Sequence, residues 1–258
     1  MRLTIEWGFG KENNMAENNT LETFAEAMRL VESPKKIWNE LAEFTRDVGI
    51  DALSYYHIAP PGSQDFSDKY FASVGFDQDA ADEHRRNHTH FDNPFVSRAN
   101  PLTRPLFWGE VVDNLKLTDK QKENMDSFYH CKRHSNGLVL PVFGPKNRNG
   151  CVVYRFLDAC EPFARENVHR VSLAAHLAHV QFCHLRAKNA EESIYLTSRE
   201  KEVLTWVARG KSNTVIADIV GISQHTVNGY LRRIYLKTRT TDRTSAALRA
   251  VADSLIDF

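Results

Sequence analysis

Near the C-terminus, a polar stretch carries side chains that can form paired hydrogen bonds with the edge of a flat ring system. Asn228 and Arg232 are four residues apart, so a helix would project both from one face. An Asn amide can pair with N6 and N7 of adenine, and an Arg guanidinium with O6 and N7 of guanine. Neighbouring hydroxyl and cationic groups could contact phosphates, which gives affinity without sequence preference. The candidate nucleic-acid contacts are Gln224, Thr226, Asn228, Arg232, Arg233, Lys211 and Lys237.

The residues around this stretch predict four helices, two of which would form a helix-turn-helix. Ser198, Ser212 and Ser223 can each cap the N-terminus of a helix. Gly210 can end the first helix in a left-handed conformation, and Gly221 can form the tight turn before the third. The residues alone leave open a helical bundle whose polar face is only solvated. The apolar residues expected to face the core include Val203, Leu204, Val207, Val215, Ile216, Ile219, Val227, Leu231 and Ile234.

The bulk composition is that of a soluble globular protein with two unlike parts. The chain has 258 residues, of which 42% are hydrophobic and 26% charged, and its formal net charge is zero. Residues 196–258 hold ten basic side chains against six acidic ones, so the rest carries an excess of acid. We find neither the roughly 18-residue apolar run of a membrane helix nor a signal peptide, and expect a cytoplasmic protein. The four cysteines lack CxxC spacing, which favours buried free thiols over disulfides.

Ahead of this basic segment, the chain alternates between helical and strand periodicity. Two amphipathic helices meet at Pro34, and a strand candidate follows at 51–59. Two apolar runs, 137–144 and 150–157, flank a polar turn and predict a hairpin. This order predicts an α+β domain in which helices pack over an antiparallel sheet. The predicted boundaries are a loose arm at 1–20, the α+β domain at 21–187, a polar linker at 188–195 and the helix-turn-helix domain at 196–258.

The C-terminal domain contains five characteristic segments: LTSREKEVL, ARGKSN, IADIVGIS, HTVNGYLRRI and RTSAALRA. Together they resemble the DNA-binding domain of the LuxR family of quorum-sensing regulators across its full length. The family's most characteristic positions are occupied by Glu200, Leu204 and Gly210. The resemblance implies that Asn228 and Arg232 contact bases, and that a fourth helix at about 243–254 helps the domain dimerise. The implied partners are a second copy of the chain, double-stranded DNA with an inverted repeat, and RNA polymerase if the protein is an activator.

Three landmarks extend the resemblance to the N-terminal domain. Pro94 and Trp108 are fourteen residues apart without a gap, as in the family pattern. Gly137 stands where the family has its glycine before the central strand. The resemblance implies an α-β-α sandwich, with an antiparallel sheet between two helical layers, that binds an acyl-homoserine lactone. A bound ligand would favour one placement of the DNA-binding domains, which is a population shift.

The polar ligand contacts of the family are changed in this chain. The family's Asp position carries Asn93, with Asp92 beside it, while its Tyr and first Trp positions carry His84 and Ala80. An Asn oxygen accepts without charge, and such a bond is roughly half as strong as a charge-assisted one. We expect little or no response to ordinary acyl-homoserine lactones; an unrelated ligand, a lactone in another pose, ligand independence and control by a partner protein stay open. The candidate ligand contacts are Ala80, His84, Asn93, Asp92, Trp108, Phe76, Tyr55 and Gly137.

The chain has none of the usual sequence signatures of an enzyme. GxSxG, HExxH, P-loop and GxGxxG motifs are absent. Four potential metal ligands cluster within nine residues, but a polar helix end and a solvated loop are the favoured explanation: His84, His88, His90 and Asp92. We therefore expect a transcription regulator with no catalytic, metal or cofactor site.

Overall fold

The protein is described here by a computed structural model that defines most of both domains. The described residues are 20–63, 70–86, 93–94, 96, 104–113, 117–123, 137–156, 163, 165–189 and 194–256. The predicted N-terminal arm, apart from Thr20, and residues 190–193 of the predicted linker lie outside them.

The N-terminal domain is built on a five-stranded antiparallel sheet of order β2-β1-β5-β4-β3. Its strands are β1 (Ile50–Ile58), β2 (Phe71–Val74), β3 (Leu106–Phe107), β4 (Gly137–Phe143) and β5 (Asn149–Phe156). The predicted hairpin is confirmed as β4 and β5, which pair from Gly137 opposite Arg155 to Phe143 opposite Asn149. A single 3-10 turn, Pro145–Asn147, joins the two strands.

Helices cover both faces of the sheet, so the domain is the α-β-α sandwich that the resemblance implies. The helices are α1 (Leu21–Arg29), α2 (Pro34–Thr45), α3 (Gln78–Arg86), α4 (Trp108–Asp113) and α5 (Arg165–Asn189). Pro34 is the first residue of α2, where its missing N–H costs no helical hydrogen bond, and this separates α2 from α1. The last helix, α5, continues to Asn189, two residues into the segment predicted as a linker.

Side chains that alternate along β1 fill two separate cores. Leu53 and Tyr55 pack with α1, α2 and α5 on one face of the sheet, whereas Ala52 and Tyr56 pack with α3 and α4 on the other. Both faces are buried, and each fully buried large apolar side chain contributes roughly 1.5–3 kcal/mol. The two faces therefore have different neighbours, and a functional group on β1 belongs to one core or the other.

The C-terminal domain is a four-helix unit with its own core. Its helices are α6 (Ser198–Ala208), α7 (Asn213–Val220), α8 (Gln224–Thr238) and α9 (Arg243–Ala252). The core prediction was wrong for Val215 and Ile219, which are exposed, because α7 turns Ile216 and Ala217 toward α6 and α8 instead. Among the helices of the described residues, none is both long enough and apolar enough to cross a bilayer.

Candidate nucleic-acid interface and ligand pocket

Side-chain caps fix where the helices of the C-terminal domain begin. Ser212 and Ser223 cap α7 and α8 as predicted, accepting from the backbone N–H three residues on at 3.3 and 3.1 Å. For α6 the cap is Thr197 and not Ser198. Its Oγ1 accepts from the N–H of Glu200 at 3.3 Å, and the Glu200 carboxylate accepts from the N–H of Thr197 at 2.8 Å. This reciprocal capping box satisfies two N–H groups that helix geometry would leave unpaired.

The outer face of α8 presents polar and basic side chains to solvent. Asn228 and Arg232 lie one helical turn apart on that face. Thr226 also lies at the surface, but its hydroxyl is 2.8 Å from Ser223 Oγ and forms part of the cap. A helix with such a face has the width and the hydrogen-bonding groups to enter a DNA major groove. All of the predicted contacts are surface residues: Gln224, Thr226, Asn228, Arg232, Arg233, Lys211 and Lys237.

Two of the cationic side chains that were predicted to contact phosphates also form ion pairs within the domain. Lys237 Nζ donates to Glu200 Oε2 at 2.6 Å, and Arg233 Nε lies 3.8 Å from Oε1 of the same carboxylate. The Arg233 guanidinium stacks over the Tyr230 ring, 4.6 Å from its centroid. Burial would raise the pKa of Glu200, but hydrogen bonds from Lys237 and Thr197 outweigh it, so the pKa lies below its usual value. Lys237 therefore holds α8 against α6 in addition to supplying positive charge at the surface.

In the N-terminal domain, three buried polar side chains meet on the sheet face that α3 and α4 cover. Asn93 Nδ2 donates to the hydroxyl of Tyr56 at 2.9 Å, and this hydroxyl lies 3.2 Å from His84 Nε2. The geometry fits a hydroxyl that accepts from the amide and donates to the imidazole. The three side chains, which we call the polar triad, have no carboxylate among them.

Aromatic and small side chains surround the polar triad. Trp108 and Phe76 are buried in the same core, and Ala80 packs against that core from α3. Gly137 lies directly against Trp108, since a Cβ on this glycine would be 2.1 Å from Trp108 Cε2. The structure thus gathers on one face of the sheet the predicted contacts Ala80, His84, Asn93, Trp108, Phe76 and Gly137.

Tyr55, which was predicted to contact ligand, lies on the opposite face of the sheet. Its ring stacks on Trp38 with centroids 3.8 Å apart, and its hydroxyl is 2.8 Å from His179 Nδ1. Burial raises the pKa of Tyr55 and lowers that of His179 to about 4, so both are neutral at pH 7. The neighbouring Tyr56 lies on the candidate pocket face, beside His84 and Asn93, in its place, because successive side chains of a strand point to opposite faces. Asp92 lies outside the described residues.

The histidine cluster was the one candidate for a metal site, and the cysteines were predicted to be buried free thiols. His84 belongs to the polar triad, and three other members of the cluster lie outside the described residues: His88, His90 and Asp92. Within the described ranges, no group of three or more His, Cys, Asp or Glu side chains could hold a metal ion. Cys151 and Cys183 are buried free thiols, as predicted, and the other two cysteines are not among the described residues.

Comparison with known families matches both domains. The family described as "Autoinducer binding domain" matches residues 33–182, and "Bacterial regulatory proteins, luxR family" matches residues 195–250. Crystalline SdiA of Escherichia coli superposes with a TM-score of 0.71 at 18% identity, over 92% of this chain and 98% of SdiA. At that identity the likeness supports the fold alone.

Several curated proteins resemble the chain in sequence. The quorum sensing-dependent transcriptional regulator VjbR of Brucella ovis is 35% identical over 55% of this chain and 52% of VjbR. The HTH-type transcriptional regulator y4qH of Sinorhizobium fredii is 30% identical over 64% of this chain and 50% of its own length. The chain thus spans about half the length of these curated relatives. The two family matches together cover most of the sequence, and the chain belongs to the LuxR family of bacterial regulatory proteins that carry an autoinducer-binding domain.

Proposed function

We propose that the protein is a DNA-binding transcription regulator and not an enzyme. The observation that carries this proposal is the polar and basic outer face of α8, with Asn228 and Arg232 exposed on a fully capped helix-turn-helix. Curated relatives that match the chain are named as transcriptional regulators, which agrees with the proposal. Because its partner is promoter DNA, we expect the protein to act in the cytoplasm. Contact with RNA polymerase follows if it activates transcription.

The DNA-bound form that we propose is a dimer on an inverted repeat, with the two recognition helices about one helical turn apart. An apolar stripe on α5 supports this, since Leu173, Leu177 and Val180 are exposed at helical spacing. Exposed large aliphatic side chains in a row are costly in water and are typical of contact surfaces. A second copy of α5 offers the same stripe, so a two-fold axis beside this helix would bury both.

We propose that a small molecule in the N-terminal domain gates the regulator, and that it is not an ordinary acyl-homoserine lactone. The polar triad offers an amide and an imidazole, but no carboxylate to accept a charge-assisted bond from a ligand amide. Ala80 stands where the family has a tryptophan, and it supplies neither the indole N–H donor nor the flat aromatic surface of that residue. One structure of SdiA is described as a complex with octanoyl-rac-glycerol, so a ligand other than a lactone fits a protein of this fold.

Replacing Arg232 with alanine should relax base preference at one position of each half-site. Loss of a bidentate guanine contact removes about 1–3 kcal/mol of discrimination. The measurement is selection of bound sequences from a randomised inverted repeat, followed by sequencing. Arg199→Ala is the matched control, because Arg199 is an exposed arginine that pairs with Glu202 on α6. Equal base preferences in the wild type and in Arg232→Ala would mean that Arg232 makes no base-specific contact.

Ordinary acyl-homoserine lactones at micromolar concentration should leave the melting temperature of the wild-type protein within about a degree of its unliganded value. A ligand at 100 times its Kd stabilises the folded state by about 2.7 kcal/mol, which a thermal melt detects. Asn93→Asp supplies the missing carboxylate, and its melting temperature should rise more with lactone than that of the wild type. A rise of several degrees in the wild type would contradict the proposed ligand class.

A further inference from the structure

A chain of polar contacts links the starts of α7 and α9 to the outer face of α8. Asn213, the first residue of α7, donates from Nδ2 to Oδ1 of Asn228 at 2.7 Å. Arg243, the first residue of α9, approaches Oδ1 of Asn213 at 3.5 Å. A second nitrogen of its guanidinium donates to the carbonyl oxygen of Lys211 at 2.5 Å. Asn228 is thus held by Asn213 of α7, which is itself contacted by Arg243 of α9.

The hydrogen-bond donors in this series of contacts determine the orientation of the Asn213 and Asn228 side-chain amides. A guanidinium has only donors, so Arg243 favours the oxygen of the Asn213 amide and leaves its NH2 group toward Asn228. That NH2 group in turn selects the oxygen of Asn228. A carboxamide oxygen has two lone pairs, so the Asn228 oxygen can accept one further hydrogen bond in addition to that from Asn213. The edge that remains has one acceptor and one donor side by side, which is the pattern that adenine N6 and N7 require.

Resting on the proposed DNA-binding function, we propose that Asn213 is a positioning residue that orients the Asn228 amide for adenine. Asn213 need not contact DNA itself. Its contribution is to prevent the Asn228 amide from turning over, which would exchange donor and acceptor and fit another base. Specificity for the base that Asn228 contacts is therefore set by two side chains, Asn213 of α7 and Asn228 of α8. Arg243 holds Asn213 in place.

The test is Asn213→Asp, in which a carboxylate of nearly the same shape can accept but cannot donate. Asn228 should then turn its NH2 group toward the carboxylate and present its oxygen outward. An outward oxygen accepts from cytosine N4, so preference at one position of each half-site should move from adenine to cytosine by about tenfold. The measurement is selection from a randomised inverted repeat with the full chain. A role that only supported the fold would weaken binding to all sequences and would not exchange one base for another.

Three further variants separate positioning from other effects. Asn213→Ala should relax the preference for adenine without creating one for cytosine, and Asn213→Asp combined with Asn228→Ala should lose the cytosine preference. Thr214→Ala, at the next exposed residue of α7, should keep the wild-type profile. An Asn213→Asp protein that selects the same bases as the wild type overturns the positioning role alone. A wild type that selects no sequence overturns the proposed function, and the inference with it.

Discussion

Replacing Gly137 with alanine should strain the packing of the N-terminal domain and destabilise it. A Cβ at this residue would lie 2.1 Å from Cε2 of Trp108 and 2.3 Å from the backbone oxygen of Tyr154. Both neighbours are buried, and neither the indole ring nor the strand backbone can move away without disturbing the sheet. Overpacking of this kind costs about 1–3 kcal/mol or more, out of a total stability of about 5–15 kcal/mol. We expect a marked fall in melting temperature, so that the near-ultraviolet circular dichroism signal of the buried tryptophans is lost at a lower temperature than in the wild type.

Gly109→Ala is the matched control for this prediction. Gly109 follows Trp108 in α4, and a Cβ there would meet no atom within 4 Å. Alanine in a helix is about 1 kcal/mol more favourable than glycine, so this variant should be as stable as the wild type or slightly more. A Gly137→Ala protein that melts within two or three degrees of the wild type would mean that the close contact with Trp108 is relieved at little cost.

The same contact explains why some features of the N-terminal domain are predictable from the sequence. Gly137 and Trp108 are landmarks of the family pattern, and the structure gives the physical reason for the glycine: the indole ring occupies the space that a side chain on β4 would fill. The hairpin was predictable as well, since two apolar runs flank a short polar turn. In the C-terminal domain, Ser212 and Ser223 were identified as caps from residue type and position alone. Local chemistry was sufficient for the hairpin and the two caps, whereas Gly137 and Trp108 were identified through the family pattern.

Features that depend on which face of an element is used could not be predicted in the same way. Tyr55 and Tyr56 are adjacent and both buried, so apolar character does not distinguish the pocket face from the opposite face. Their assignment depends on α3 and α5, which are distant in the sequence and supply His84 and His179 as partners. Periodicity likewise placed Lys237 on an outer face without revealing Glu200 as its partner, 37 residues away. The spacing of a motif gives the direction of a side chain, and the packing of other elements gives its contacts.

A contact between the two domains is the clearest case of information that the sequence does not carry. Asp253, which follows α9, accepts from Arg148 of the turn between β4 and β5 at 3.1 Å, across 105 residues of sequence. Arg249 of α9 donates to the other oxygen of the same carboxylate. Beside this ion pair, Gly62 packs so closely on α9 that a Cβ would lie 2.8 Å from the carbonyl carbon of Leu248. One carboxylate therefore joins two arginines at the boundary between the domains.

Asp253→Asn should loosen this boundary and destabilise the protein. The side chains of Arg148 and Asp253 are only 15% and 12% exposed, so the substitution leaves two poorly solvated guanidinium groups without their carboxylate. Breaking a buried ion pair by removing one partner costs about 3–5 kcal/mol, and we expect somewhat less at this partly exposed site. The measurements are the melting temperature and limited proteolysis of the segment between α5 and α6. The control is Asp218→Asn, which removes an exposed carboxylate from α7 and should change neither.

A double-mutant cycle separates the contact between domains from the contact within α9. Arg148→Ala removes only the ion pair that reaches Asp253 from the N-terminal domain, and it leaves the pair of Arg249 and Asp253 intact. If the domains are joined through this carboxylate, the effects of Arg148→Ala and Asp253→Asn on unfolding free energy should fail to add, by about 0.5–3 kcal/mol. Additive effects would mean that Asp253 stabilises α9 through Arg249 and contributes nothing to the contact between the domains. Strong coupling would mean that the ion pair of Arg148 and Asp253 stabilises the contact between the hairpin turn of the N-terminal domain and the last helix of the C-terminal domain, because both are held by the same carboxylate.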